Sequence, residues 1–492
     1  MKALFKIFFV LLTIGVIYLI SRSPAITIKE TLAYNKPNFV FILTDDLDLS
    51  GLQYMPKIKA LIADAGITFS NFFISNSLCC PSRSSILRGQ YGHNTKVMHN
   101  IGPEGGFQRF HTEGNENSTV ATWLKAAGYR TGIFGKYLNG YPNRDFNISP
   151  TYIPPGWDQW FVPIIDTAYN SYKYIMNQNG LLVYYGSGPS AYITDVISNK
   201  ATNFIKTTQT GKPFFAYITT YAPHSPSNPA PRHVNMTFNP MPVPPTPPSF
   251  NEADVSDKPI ELQRILLPDE TIATGSAYYL KKIRSLQAID DLVEAVINAL
   301  TAKGVLNNTY VIFTSDNGFH LGIHRLIQGK TTAYEEDIRV PFVVRGPGLT
   351  PCSVRDDFVG NIDLAPTFAQ LAGVTIPDWV DGRSFVTPST RKAYLLEHGN
   401  PPKSIPDYDT DLEKYAQGII PAYAGLRTTD WMYTEYVTGS KELYNLVNDP
   451  YELENKANQA EYADIQNRLA TKLSELSTCA GSSCRTAEDT PF

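Results

Sequence analysis

The sequence predicts an α/β protein with a smaller α+β unit toward its C-terminal end. Two observations set the first part: short β-branched and aromatic runs end in polar residues, and helical patterns alternate with them. A third sets the second part, because from about Gly373 onward hairpin and helix signals replace that alternation. The 492 residues are 43% hydrophobic and 18% charged, with a formal net charge of −4. This balance excludes a chain-wide basic footprint for nucleic acid, and the hydrophobic fraction excludes both disorder and a polytopic membrane protein.

At the N-terminal end, Lys2 and Lys6 lead into an uncharged apolar run from Ile7 to Ile20, followed by Ser21, Arg22, Ser23, Pro24 and Ala25. This is the layout of a signal peptide over residues 1–25. The run falls short of the roughly 20 residues a spanning helix needs, so cleavage is expected in preference to a signal anchor, with no stable membrane insertion afterwards. The main domain is expected over 36–372, the α+β unit over 373–478 and a tail over 479–492.

Within the main domain, Pro37 to Thr44 reads as a buried parallel strand ending in Asp45 and Asp46. Tyr310 to Thr314 reads the same way and ends in Ser315, Asp316 and Asn317, while Pro213 to Thr219 is a third such strand leading toward His224. Ligands of open α/β sheets gather at the carboxyl ends of strands, so two acidic strand tips point to one shared site. Ala277 to Leu300 repeats apolar residues at three and four, the period of a helix with one buried face. The proline-rich segment from Pro223 to Pro268 can be neither helix nor central strand, and its place after His224 suits either a surface excursion or a wall over a substrate. In the last unit, Trp431 to Val437 and Glu442 to Leu446 flank a turn as a hairpin, and Glu461 to Leu476 reads as a helix.

Five cysteines are too few for a disulfide-held fold, and the odd number leaves one for another task. Cys479 and Cys484 are spaced to close a short loop, which leaves Cys80 and Cys352 either to pair or to remain free thiols. Four N-x-S/T sequons, at Asn117, Asn147, Asn235 and Asn307, fit passage through the secretory route. Secreted, lysosomal and vacuolar destinations all fit.

The fifth cysteine stands in Cys79-Cys80-Pro81-Ser82-Arg83, followed by Ser84-Ser85-Ile86-Leu87-Arg88-Gly89. The string resembles the signature of the type I sulfatases, in which the first cysteine is oxidised to formylglycine, an aldehyde whose hydrate is the nucleophile. Other strings agree: Gly135-Lys136-Tyr137, Tyr221-Ala222-Pro223-His224-Ser225-Pro226, Asp316-Asn317-Gly318-Phe319-His320-Leu321-Gly322, and Gly329-Lys330 with Tyr334 to Pro341. Many arylsulfatases carry histidine two positions after the lysine, where this chain has Leu138 followed by Asn139. In that respect the chain looks like the glucosamine-6-sulfatase and extracellular heparan-sulfatase branch, and the likeness runs from about Pro37 to Asp449-Pro450.

The resemblance implies an alkaline-phosphatase-like domain with a central mixed sheet flanked by helices, and a sulfuric ester hydrolase acting on sulfated sugars or aryl sulfates. It implies Cys79 as nucleophile after oxidation, Arg83 orienting it, Lys136 and Lys330 on the sulfate oxygens, and His224 and His320 at the leaving group. It further implies Asp45, Asp46, Asp316 and Asn317 as ligands of one calcium ion, with the oxidised Cys79 a further contact, and a formylglycine-generating enzyme as maturation partner. No nucleic-acid partner is expected. Two alternatives stay open: a phosphonate or phosphate ester hydrolase on the same scaffold, and a secreted glycan-binding pseudoenzyme should Cys79 stay unoxidised.

Overall fold

Strand β1 (Asn38–Asp45) is buried along its whole length, which is why its sequence is a continuous apolar run: both faces of its sheet are covered. The computed structural model describes residues 36–102, 104–142, 148–164, 167–400 and 420–492, and the leader expected over 1–25 lies outside them. Further strands of the sheet are β2 (Ile67–Phe69), β3 (Arg130–Gly135), β4 (Gln159–Ile164), β5 (Tyr174–Gln178), β6 (Leu181–Tyr185), β7 (Phe214–Pro223) and β8 (Thr309–Ser315). After a separate hairpin of β9 (His320–Leu321) and β10 (Gln328–Gly329), β11 (Phe342–Arg345) and β12 (Ser353–Arg355) complete it.

The ten strands lie in the order β12-β2-β11-β8-β1-β7-β3-β4-β5-β6. The centre, from β8 to β4, is parallel, and β11, β5 and β6 join antiparallel, so the sheet is mixed. The three strands predicted from sequence are β8, β1 and β7, side by side at its middle.

Alternate side chains of β1 feed two different cores. Phe39, Phe41 and Leu43 pack with Ile86 and Leu87 of helix α1 (Cys79–Arg88) and with Phe368. Val40 and Ile42 pack on the opposite face with Ile193 and Ile197 of α2 (Ile193–Thr207) and Ile283, Leu286 and Ile289 of α3 (Asp269–Ala302). Helix α3 starts earlier than the expected Ala277, because its first two turns carry no buried face for a periodicity to mark. Asp269 and Glu270 in its first turn suit the positive end of the helix dipole.

The short helix α4 (Glu335–Ile338) and α5 (Leu364–Leu371) precede the C-terminal sheet. There β13 (Ala393–His398), β14 (Tyr423–Thr428), β15 (Trp431–Tyr436) and β16 (Lys441–Asn445) form an antiparallel meander. The expected hairpin is β15 and β16, and the expected helix is α6 (Ala463–Leu476). A third core joins this sheet to Phe73, Tyr91 and Tyr334 of the main domain, and residues 37–492 form one compact unit. Residues 479–492, read as a tail, hold helix α7 (Ser482–Asp489), whose Glu488 is buried against Arg383, Arg391 and the Tyr91 hydroxyl.

Cys479 and Cys484 form the short-loop disulfide. Cys80 and Cys352 are free and do not pair: Cys80 is buried near the start of α1, whereas Cys352 is exposed beside edge strand β12. Of the sequons, Asn117, Asn235 and Asn307 are exposed, and Asn147 lies outside the described residues. Among the described residues no helix is long and apolar enough to cross a membrane.

A buried histidine pair makes the fold acid-sensitive. His99 and His398 meet edge to face with ring centroids 5.2 Å apart. Burial, reinforced by the neighbouring His99, pulls His398 down to about 3, and burial lowers His99 too. An unfolded histidine titrates near ~6.5, so this stabilising contribution is complete above about pH 6.5 and is lost as pH falls toward 3. The drop in Tm between about pH 7 and about pH 4.5 should be steeper for the wild type than for His398→Phe; parallel curves would assign the acid sensitivity elsewhere.

Candidate active site

Neighbouring parallel strands bring distant residues to one edge. Thr44 of β1 is level with Ser315 of β8, Asp45 with Pro223 of β7, and Gly135 of β3 with Thr219 of β7. The residues that follow these tips, Asp46, Asp316, His224 and Lys136, therefore emerge together. Two backbone devices make the exits possible. Asp46 adopts the left-handed region with φ 66°, uncommon for a residue with a Cβ, and its N–H donates to Asp316 Oδ1 at 3.3 Å. Gly135 has φ 115°, and a Cβ there would sit 1.7 Å from the Thr219 carbonyl oxygen.

Helix α1 brings its first residue to the same edge. Cys79 opens the helix, the Cys80 N–H donates to Asn100 Oδ1 at 2.8 Å, and Gly89 closes the helix with φ 70°. Arg83, one turn after Cys79, donates from Nε to Asp316 Oδ2 at 2.7 Å, from Nη1 to the Lys136 carbonyl at 3.1 Å, and to the Thr219 hydroxyl. Lys136 Nζ lies 2.7 Å from Asp45 Oδ2. Lys330, directly after β10, places Nζ 2.6 Å from Asp46 Oδ1 and 2.9 Å from Cys79 Sγ. Cys79 Sγ is 3.4 Å from Asp45 Oδ1, so the thiol stands between a carboxylate and an ammonium.

The two histidines approach from either side. His224 Nε2 is 3.7 Å from Asp46 Oδ2, while Nδ1 is 2.7 Å from the Ser225 carbonyl, a contact that puts the Nδ1 proton on the carbonyl side. The Tyr169 ring stacks 4.4 Å from His224 and lies under Lys136 Nζ at 5.0 Å. His320 Nδ1 is 2.9 Å from both Asp337 oxygens, and Asp337 also accepts from the Thr332 N–H and hydroxyl.

Burial and the neighbouring charges compete at Asp45, Asp316 and Cys79. It raises Asp45, yet Lys136, His224, Arg83 and Lys330 together hold that carboxyl below the usual carboxylate range. It pushes Asp316 up to about 6, with the Asp45 charge adding to the effect. It also pushes the Cys79 thiol well up, so the unmodified sulfur is held neutral.

A hard cation fits this donor set. Carboxylate oxygens of Asp45, Asp46 and Asp316 lie within 4.8 Å of one another, all buried. Asp46 Oδ2 and Asn317 Oδ1 are buried with no hydrogen-bond partner among the described residues. Buried oxygens are rarely left so, and all-oxygen donors suit a hard divalent ion.

Of the site residues expected from the sequence, Asp45, Asp46, Cys79, Arg83, Lys136, His224, Asp316, Asn317 and Lys330 meet in this one buried cluster, whereas His320 is held by Asp337 and pairs with Gly329, the residue before Lys330. Sequence reasoning missed Tyr169, Thr219, Asp337 and Asn100. Thr219 was within reach, as the final residue of a predicted strand; Tyr169 and Asn100 come from irregular segments that carry no periodic signal.

Fold and site together define an α/β enzyme whose buried polar cluster gathers at the carboxyl ends of parallel strands. The chain belongs to the sulfatase family: the family model described as Sulfatase matches residues 37–374, and that of the N-sulphoglucosamine sulphohydrolase C-terminal region matches 322–479. It is 33% identical to an arylsulfatase of Volvox carteri, over 92% of this chain and 76% of that protein. It is likewise 33% identical to the N-acetylglucosamine-6-sulfatase of Homo sapiens, over 92% of this chain and 86% of the other. Among solved structures, BT4656 in complex with its substrate D-glucosamine-2-N,6-O-disulfate aligns with TM-score 0.72 at 24% identity, covering 93% of this chain and 100% of that one.

The glycine exit before Lys136 yields a paired prediction. Gly135→Ala meets a backbone oxygen, whereas Gly140→Ala, also at positive φ but with open space around its Cβ, meets only backbone strain of about 1–2 kcal/mol. Tm and sulfatase activity should therefore fall much further for Gly135→Ala. Equal losses would show that the close approach to Thr219 is not what holds Lys136.

Proposed function

We propose that the protein removes sulfate from a sulfated sugar, a 6-sulfated glucosamine or its N-acetyl form, using formylglycine made from Cys79 and one calcium ion. The observation that carries this reading is the setting of Cys79: a buried sulfur at a helix start, 2.9 Å from Lys330 and 3.4 Å from Asp45, beside the unpartnered oxygens of Asp46 and Asn317. A thiol held neutral is a poor nucleophile. The same surroundings suit a hydrated aldehyde, whose oxygens would stand near the Sγ position. The printed name of the N-acetylglucosamine-6-sulfatase supports the sugar.

In this reading one hydroxyl of the hydrate gives its proton to a neighbouring carboxylate such as Asp45 and attacks sulfur, the bond from sulfur to the sugar oxygen breaks, and the departing alkoxide takes a proton from His224. The second hydroxyl then returns a proton to His224, the carbon–oxygen bond to sulfate breaks, and the aldehyde returns to be rehydrated by water; a serine, with one oxygen, has no such exit. Arg83 orients the hydrate, and Lys136 and Lys330 place positive charge against the sulfate oxygens as negative charge shifts there. His320, fixed by Asp337, is the second contact at the leaving group. Asp45, Asp46, Asp316 and Asn317 would hold the calcium, with the oxidised Cys79 touching it; the ion, when bound, supplies Lewis-acid polarisation of a sulfate oxygen.

A catalytic domain over 36–372, a C-terminal unit over 373–478 and a closing segment over 479–492 complete the reading. So do a cleaved leader, glycans on the exposed sequons, a formylglycine-generating enzyme during maturation, and a secreted or lysosomal destination.

Mass spectrometry of the tryptic peptide containing Cys79 should find the aldehyde. Cys79→Ser should accumulate a sulfated serine and turn over no further; full multiple-turnover activity in that variant would sink the assignment. Asp316→Ala and exhaustive chelation should each abolish activity, and normal turnover after both would remove the metal. General acid catalysis contributes roughly 10²- to 10⁴-fold when the leaving oxygen is strongly basic. His224→Ala should therefore depress hydrolysis of a sugar sulfate far more than that of 4-nitrophenyl sulfate, whereas equal losses would make His224 a sulfate-binding or structural residue. Faster turnover of a nitrophenyl phosphate than of the sulfate would favour phosphate-ester chemistry instead.

A further inference from the structure

A cavity of roughly 200 Å³ is walled by Asp48, two residues beyond Asp46, by Tyr278 and Tyr279 of α3, by Phe319, and by Pro245 and Pro247 of the proline-rich segment. Two contacts tie these walls to the two histidines. Phe319 precedes His320 and stacks on it with ring centroids 6.5 Å apart. Tyr278 packs on Phe319 at 5.9 Å, and its hydroxyl lies 3.3 Å from Ser227 Oγ, which in turn reaches the His224 carbonyl at 3.3 Å. The walls of the cavity are thus linked to His320 through Phe319 and to the His224 main chain through Tyr278 and Ser227.

The charges on its walls do not balance. Lys282 is taken up by Asp48, and its ammonium also lies over the Phe319 ring at 4.6 Å. Arg339 pairs with Glu335, which Arg427 grips as well. Glu336 has no ion pair among the described residues. Burial, with Asp337 and Glu335 adding to it and His320 opposing it, pushes its carboxyl up to about 7. The cavity therefore offers apolar ring faces, which suit the C–H faces of a sugar, and one acid without a cation.

We infer that this cavity holds the sugar ring of the substrate, and that Glu336 selects sugars presenting an ammonium or other hydrogen-bond donor over sugars carrying a second anionic group. The inference rests on the proposed sulfate-ester hydrolysis. An amino group would give Glu336 an ion pair, and a charge-assisted hydrogen bond of that kind separates substrates by about tenfold. An N-sulfo group would instead bring negative charge against a carboxyl that has no ion pair among the described residues and that only His320 opposes.

The test measures kcat/KM for glucosamine 6-sulfate and for glucosamine N,6-disulfate on the full chain. The monosulfate should be favoured by about tenfold or more in the wild type, the ratio should collapse toward unity in Glu336→Gln, and it should reverse in Glu336→Lys. A wild-type preference for the disulfate, or a ratio that Glu336→Gln leaves unchanged, overturns the inference. A second measurement uses 4-nitrophenyl sulfate as reporter: unsulfated glucosamine should inhibit its hydrolysis at lower concentration than glucose does, and Glu336→Gln should erase that difference. If the reporter is turned over and the two sugars inhibit alike, this inference alone falls; if no sulfate ester is turned over, the proposed function falls with it.

Discussion

Arg83 is the side chain on which the site depends, because it fastens four elements at one buried point. It leaves α1, the helix that begins with Cys79, and reaches the tip of β8 through Asp316, the exit of β3 through the Lys136 carbonyl, and β7 through Thr219. A guanidinium can do this because its donors lie in a fixed plane and it stays charged when buried. The bond is mutual: without Arg83, Asp316 would be a buried carboxylate short of its nearest cation, a situation that costs about 3–5 kcal/mol. The helix carrying the nucleophile candidate and the strand carrying the metal-ligand candidate therefore cannot drift apart cheaply.

Around that point the charges come close to cancelling, with Asp45, Asp46 and Asp316 facing Arg83, Lys136 and Lys330. Such a cluster tolerates burial because each charge has a partner, yet it keeps oxygens in hand on Asp46 and Asn317. Adding a divalent cation tips the balance to positive, and a positive pocket with low-dielectric walls draws an anionic ester toward it.

Much of this was legible in the chain. Strands β1, β7 and β8 are buried on both faces, so they appear as unbroken apolar runs, and the polar residues that end them stand out by contrast. Helix α3 was legible only where it has a buried face. The strands β2, β11 and β12 at one edge of the sheet were not, since they are short and owe their pairing to neighbours far away in sequence. Cys80 and Cys352 illustrate the same limit: which thiols meet is a property of the folded packing, and one of them sits in the core while the other faces solvent. Asp337 belonged to a recognised string, but its task of aiming His320 becomes visible only when hairpin β9–β10 is set against α4.

The contact between Cys79 and Lys330 also sets a clock. The two residues are separated by 251 positions, and ribosomes add about 5–20 residues per second. Roughly 13–50 s therefore pass between the appearance of the cysteine and that of the lysine that seals it in. Once the fold closes, Cys79 has no exposed surface, and a modifying enzyme could reach it only by waiting for the domain to open. Any reagent as large as an enzyme must therefore meet that sulfur before the fold closes over it.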